Sequence, residues 1–171
     1  QVPEGEDLAA GYANWAKAAD AIADVMARTG VPVLIENTAG GDNSVARTLD
    51  GIARLWDAVG DRGLGFCLDT CHVFAAGHDI AKKGGMKETI DLLVQVAGIE
   101  RIQLIHANDS RDVCGALKDR HQNIGDGYIG VDAFKEMFKH PAISNAPLIL
   151  ETPGEEPEHG KEVALLKKLR G

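Results

Sequence analysis

Apolar and polar positions follow two rhythms along this chain. From Leu8 to Thr29, Trp15, Ala19, Ile22 and Met26 recur at helical spacing and Gly30 stops the run, which predicts an amphipathic helix with Tyr12 and Trp15 as packing residues. Val31-Pro-Val-Leu-Ile is a short apolar run, read as a strand that ends on Glu36-Asn37-Thr38 and opens into the glycine-bearing loop Ala39 to Asn43. Ser44 to Val59 returns to helical spacing, with Leu49, Ile52, Leu55, Trp56 and Val59 on one face and Asn43 or Ser44 as its expected cap. Next comes GFCLDTCHVFAAG, Gly65 to Gly77. Its apolar run, Leu64 to Leu68, predicts a buried strand that stops on Asp69 and presents His72 three residues later.

The pattern then repeats. A helix is expected over Gly85 to Ala97, and a strand over Arg101 to Ile105 that ends on His106-Ala107-Asn108-Asp109-Ser110. The polar stretch Arg111 to Gly130 reads as a long loop without secondary structure of its own, and such loops are more often functional than idle. A short helix, Val131 to Lys139, leads to a last strand, Pro147-Leu-Ile-Leu, which ends on Glu151-Thr152-Pro153. A charged helix from about Glu158 to Leu169 closes the chain.

Continuously apolar strands that alternate with helices describe parallel strands covered on their faces. Four of them end in turn on Glu36, Asp69, His106 and Glu151. Polar residues at the C-terminal ends of consecutive parallel strands form the active face of a TIM-type β/α barrel. A doubly wound open sheet is the alternative, but it gives no reason to bring all four strand ends together. No G-x-G-x-x-G or P-loop pattern marks a nucleotide site. With 171 residues the chain is expected to form a single domain over 1–171.

The net charge of −8 argues against non-specific nucleic-acid binding through a basic surface. It does not exclude a nucleic-acid enzyme, because bound divalent cations can supply the missing positive charge. Cys67, Cys71 and Cys114 are an odd set without CxxC spacing, which predicts free thiols in a reducing cytosol. No apolar run has the length of a membrane span and no signal peptide opens the chain, so a cytoplasmic location is expected. Gln1 to Asp7, without an initiator Met, reads as the middle of something longer.

The candidate ligands are Glu36, Asp69, His72, His106, Asp119, His121 and Glu151. These carboxylates and imidazoles suit a divalent transition metal such as zinc. Asp119-Arg120-His121 places two of them on one side of an extended segment. Seven ligands exceed the needs of one tetrahedral zinc and imply two or three ions. Each has a plainer alternative. Asp69 could cap the next helix, Glu36 or Glu151 could cap or pair with a cation, and His106 could be a hydrogen-bonded core histidine. Cys71 lies beside the set as a possible competitor, while His78, His140 and His159 are placed in loops or at the surface and left out.

The segments LIENTAGG, FCLDTCHVFAAGHD, IHANDS, KDRHQNIGDGYIG and LILETP resemble, in order and spacing, the signature segments of the endonuclease IV family of apurinic/apyrimidinic endonucleases. The resemblance runs over essentially the whole chain. It implies a TIM-type barrel with three zinc ions, double-stranded DNA containing abasic sites as the partner, and a role in base excision repair. It implies that Glu36 bridges two zincs and acts as general base. Asp69, His106 and Glu151 would be ligands of one of that pair, and His72, Asp119 and His121 would hold the third zinc. The implied reaction is hydrolysis of the phosphodiester 5′ to the abasic site, leaving a 3′-hydroxyl and a 5′-deoxyribose phosphate. Asn108, Asp109 and Ser110 would orient ligands. Arg111, Lys118 and Arg120 would contact phosphate or remain solvated loop charges, and the loops Ala39 to Asn43 and Phe74 to Asp79 would face DNA.

The chain departs from that family in one respect. Its four strand-end segments resemble the second half of an eight-stranded barrel, and two histidine ligands expected from earlier strands have no candidates upstream of Glu36. A half-barrel exposes two unpaired edges and needs either its missing half or a second copy. The 171-residue chain alone is therefore expected to bind fewer than three zincs and to be an impaired nuclease. Two other functions compete: a single-metal sugar isomerase or epimerase of the same barrel superfamily, using Glu36, Asp69, His106 and Glu151, and a non-catalytic zinc-binding fragment.

Overall fold

The computed structural model describes residues 2, 7–41, 43–60 and 62–171. Most of Gln1 to Asp7, and Asp42 within the loop Ala39 to Asn43, lie outside the described residues. Helix α1 (Leu8–Thr29) has the predicted bounds because both ends carry a stop signal. The Asp7 side chain accepts the Ala9 N–H at the start, and Gly30 adopts the left-handed conformation (φ 68°) at the end. Tyr12, Trp15, Ile22 and Met26 pack against the core.

Strand β1 (Leu34–Glu36) is shorter than the apolar run before it, and Val31 and Val33 are exposed. Helix α2 (Leu49–Val59) starts five residues later than predicted. The cap is Thr48, which accepts the Gly51 N–H, and the Ser44 hydroxyl is instead paired with Thr38. Strand β2 (Gly65–Asp69) is buried along its whole length and runs directly into helix α3 (Thr70–Ala75). Helix α4 (Gly85–Ala97) has the predicted bounds, and a single 3-10 turn leads into strand β3 (Ile102–His106). Helix α5 (Val131–Met137), strand β6 (Leu148–Ile149) and helix α6 (Glu156–Arg170) complete the order.

The stretch expected to be a structureless loop contains a small antiparallel ribbon. Strands β4 (Asp109–Ser110) and β5 (His121–Gln122) pair Asp109 with Gln122 and Ser110 with His121. Two such short strands leave no periodic trace in a polar sequence. The other four strands form one parallel sheet in the order β1-β2-β3-β6, as the strand rhythm predicted. Phe66, Leu68, Ile105, Leu55, Trp56, Ile90, Leu93 and Phe134 are buried in a continuous core of sheet and covering helices. Side chains alternate along a strand, so this leaves Glu36, Cys67, Asp69 and His106 on the opposite face. Among the described residues no helix is long and apolar enough to cross a membrane.

Candidate metal centre

Parallel register assembles the first group of site residues. Glu36, Asp69 and His106 are the last residues of β1, β2 and β3, and Asp69 stands directly opposite His106. Glu151 follows β6 by one residue beyond Leu150. Nδ1 of His106 lies 3.1 Å from Glu36 Oε1, 3.1 Å from Glu151 Oε2 and 3.9 Å from Asp69 Oδ2. Ligand atoms of these four residues all fall within 4.8 Å of one another. One imidazole nitrogen cannot satisfy three carboxylates, and a cation among them would offset their mutual repulsion.

Asp69 caps a helix, as one reading of its sequence expected, and still offers a second oxygen to the site. Its Oδ1 accepts the His72 N–H at 2.8 Å and caps α3, while Oδ2 faces the other site residues. Complete burial raises its carboxyl above the usual carboxylate range, against the pull of His72 and His121. Glu36 moves the other way. A hydrogen bond from His72, aided by the charge of His106, outweighs its partial burial and holds it below the usual range.

The second group is His72, Asp119 and His121, which come from α3, from the loop before β5 and from β5 itself. Nδ1 of His72 lies 2.9 Å from the Asn37 carbonyl oxygen, and Nδ1 of His121 lies 3.0 Å from the Glu151 carbonyl oxygen. A carbonyl only accepts, so each Nδ1 carries the hydrogen and the free lone pair of a neutral ring is on Nε2. Both Nε2 atoms are buried without a hydrogen-bond partner, and both stand 3.1 Å from Asp119 Oδ1. With both rings neutral, two lone pairs aimed at one carboxylate oxygen repel, and either a proton on His72 or a cation between them would relieve this. This is a donor set that fits a zinc-type ion. Burial alone would lower the pKa of His72, but Glu36, Asp69, the Asn37 carbonyl and Asp119 push it up to about 10.

A rim of side-chain clamps continues the sheet ladder past the strand ends. Asn37 pairs with the backbone of Asp69, accepting its N–H at 2.8 Å and donating to its carbonyl at 3.0 Å. The Thr70 hydroxyl accepts the Asn108 N–H at 2.9 Å and donates to the Asn108 carbonyl at 2.6 Å. Asn108 accepts the Glu151 N–H at 2.9 Å, and its Nδ2 donates to Asp69 Oδ2 at 2.8 Å and to Glu151 Oε2 at 3.4 Å. Asn37, Thr70 and Asn108 are all fully or nearly fully buried. Asn108 was predicted as an orienting residue, whereas Asn37 and Thr70 were missed. Their signal was a short polar residue immediately after a strand-end acid.

The remaining predicted residues fall around this centre. Asp109 touches none of the candidate ligands; its carboxylate accepts the backbone N–H groups of Ser110, Gly125, Ile129 and Gly130 and so fixes the turn after β5. Ser110 holds Asp112 through the Asp112 backbone. Arg120 faces away from its neighbours Asp119 and His121 and forms a two-pronged pair with Asp112, and Lys118 lies 4.0 Å from the same carboxylate. Arg111 contributes its charge near Asp112. Cys67 falls within reach of Glu36 and His106, and Cys71 within reach of Asp69 and His121. Burial pushes both thiols up to about 12, so they stay protonated. His140, placed in a loop or at the surface from sequence, is buried with Nε2 3.0 Å from Asp91, and His159 lies within α6.

Comparison with known proteins gives a consistent result. The family model described as a xylose isomerase-like TIM barrel matches residues 1–169. A probable endonuclease 4 of Streptomyces coelicolor is 52% identical over 140 residues, which cover 81% of this chain and 47% of that protein. A probable endonuclease 4 of Mycobacterium leprae is 44% identical over 154 residues, covering 90% of this chain and 55% of that protein. The crystal structure of endonuclease IV from Thermus thermophilus superposes with a TM-score of 0.74 at 32% identity, covering 88% of this chain and 55% of that one. The chain thus spans about half the length of the curated relatives it matches.

Proposed function

The chain belongs to the endonuclease IV family, within the xylose isomerase-like TIM barrels, and on that premise we propose that its centre serves zinc-dependent hydrolysis of DNA at abasic sites. The scissile bond is the phosphodiester 5′ to the lesion, and the products are a 3′-hydroxyl and a 5′-deoxyribose phosphate. The observation that carries this reading is the pair of buried, partnerless Nε2 atoms of His72 and His121 converging on Asp119, next to three carboxylates gathered on His106. A single-metal isomerase or epimerase would use Glu36, Asp69, His106 and Glu151 and would have no need of the second set.

In this reading Glu36, Asp69, His106 and Glu151 hold one part of the zinc cluster, and His72, Asp119 and His121 hold another. Zinc bound there would lower the pKa of a coordinated water and offset charge on a transferring phosphoryl group. Glu36 is ionised at neutral pH and its side chain is 36% exposed, so it can take a proton from an attacking water. Asn108 holds Asp69 Oδ2 and Glu151 Oε2 at fixed separation through one amide. The Asn37 and Glu151 carbonyls keep the Nδ1–H tautomers of His72 and His121.

Residues 1–171 act as one domain that supplies a four-stranded sector of the barrel. A closed (β/α)8 barrel has eight strands. Full turnover therefore requires four further parallel strands, from the same polypeptide or from a second copy, and this sector by itself binds fewer than three zincs. The setting is cytoplasmic, with duplex DNA as partner.

The test is zinc per chain by elemental analysis, run with cleavage of a duplex containing one abasic-site analogue, with and without chelator. Two or more zincs and chelator-sensitive cleavage support the proposal. Two zincs without cleavage leave a zinc scaffold that lacks its remaining strands. One metal with sugar epimerisation and no cleavage overturns the nuclease in favour of the isomerase.

A further inference from the structure

Glu162 lies on the outer helix α6, in a charged segment that reads as a solvated face, yet it is 5% exposed. Its Oε1 accepts the Ile124 N–H at 2.8 Å, and its Oε2 accepts the Thr152 hydroxyl at 2.6 Å and an Asn123 Nδ2 hydrogen at 3.0 Å. All three partners are neutral. A carboxylate buried without a cation is expensive, and an apolar residue would pack α6 at lower cost. What this carboxylate adds is a further connection between two segments.

Those segments both carry site residues. Thr152 directly follows Glu151, and Asn123 and Ile124 follow His121 and Gln122 at the end of the ribbon. Asn123 Nδ2 also donates to the Pro153 carbonyl at 2.8 Å, and His159, one helical turn from Glu162, lies 2.9 Å from the Thr152 carbonyl oxygen. His121 closes the circuit, with Nδ1 3.0 Å from the Glu151 carbonyl oxygen. The His121 segment and the Glu151 segment are thus fastened to each other directly and again through one buried side chain.

We propose that Glu162 is a positioning residue of the metal centre. It fixes the spacing between the Glu151 strand end and the His121 segment, so that a carboxylate of one ligand set and an imidazole of the other stay in register. This rests on the metal-centre reading above. Removing the clamp leaves the ligands in place but lets the two segments separate, which weakens metal binding without deleting a ligand.

The experiment compares the full chain with Glu162→Ala, Glu162→Gln and Leu166→Ala. Leu166 is a buried core residue on the same helix and makes no hydrogen bond to the loops. Zn2+ affinity is measured by competition with a chromophoric chelator, ligand geometry by the visible spectrum of bound Co2+, and stability by thermal unfolding of the metal-free chain. Glu162→Ala is expected to weaken Zn2+ by about 10- to 100-fold, the usual effect of losing an outer partner, and to alter the Co2+ bands. Glu162→Gln keeps an acceptor for Ile124 and is expected to fall between the two, and it decides the matter if the alanine variant does not fold. Leu166→Ala is expected to melt earlier with affinity within roughly twofold of the parent, because the defect is not coupled to the ligands. Unchanged affinity in both Glu162 variants, or an equal loss in Leu166→Ala, would overturn the proposal. A parent chain that binds neither Zn2+ nor Co2+ overturns the metal centre itself, and the clamp with it, which is a different and recognisable result.

Discussion

The group around His106 and the trio of His72, Asp119 and His121 sit side by side but are held by different means. Glu36, Asp69 and His106 are strand residues, and their spacing follows from backbone hydrogen bonding between parallel strands. The trio comes from a six-residue helix, from the loop at Asp119 and from the two-residue strand β5, and its imidazoles are aimed by hydrogen bonds from Nδ1 to backbone carbonyls. Asp119, whose side chain is 59% exposed, has among the described residues no such anchor beyond the two rings it faces. Register can fix a ligand's position, whereas a loop must fix it through side-chain hydrogen bonds. The first group should therefore survive perturbation better than the second. Asp69 faces both from full burial, since Oδ2 lies 3.9 Å from His106 Nδ1 and 3.7 Å from His121 Nε2, and Glu36 also reaches both at the more exposed side.

The strongest way to break the comparison is to remove what the two groups share. Asp69→Asn is expected to weaken zinc binding by roughly a thousandfold, because several kcal/mol of charge stabilisation disappears from both groups. Competition titration and elemental analysis read the effect, and parental zinc content in this variant would reduce Asp69 to a helix cap. The next largest effect tests the rim. Asn37→Asp places a carboxylate oxygen against the Asp69 carbonyl where an amide donated before. A loss of about 10- to 100-fold in zinc affinity is expected, with the His72 site affected first, since the Asn37 carbonyl also holds that ring.

Metal removal sharpens the contrast further. At zinc a hundredfold above its dissociation constant, binding adds about 2.7 kcal/mol to stability. For a domain of this size, chelation is then expected to lower the melting temperature by roughly 5–10 °C. Hydrogen exchange should show the loss concentrated in the His121 segment and not in β2. Uniform loss across both would contradict the division drawn here.

The smallest effect concerns protons. His72 is raised from an ordinary value near 6.5 to about 10 in the metal-free chain. Its protonated form therefore adds stability that is fully present below pH 6.5 and fades as pH rises through about 10. Zinc must displace that proton, so apparent affinity should rise about tenfold per pH unit across neutrality. Calorimetry in buffers of different ionisation heat should report proton release on binding, and buffer-independent heats would refute it.

The two regions also differ in how far sequence alone reveals them. Strand ends were legible because an apolar run that stops on an acid or a histidine marks the residue and the edge together, as at Ile35-Glu36 and Leu68-Asp69. Helices α1 and α4 were legible because glycines stop them. The start of α2 was not, since Ser44 and Thr48 are equally good caps in sequence and only the Thr38 contact removes Ser44. The β4–β5 ribbon escaped because two-residue strands have no period. His72, Asp119 and His121 were identified through spacing and family resemblance, with nothing local to show that their rings converge. Asn37, Thr70 and Glu162 were hidden for one reason: a polar residue looks solvated until a tertiary contact buries it.

The carbonyls that anchor the trio come from opposite margins of the sheet. Asn37 follows β1 and Glu151 follows β6, which are the outermost of the four parallel strands. His72 and His121, whose ring centroids are 5.5 Å apart, thus link the two margins of the sheet. An ion held between them would act as a tie rod joining those margins. By thermodynamic reciprocity, whatever free energy the ion would contribute to holding the margins together, a change in their spacing would return to its affinity.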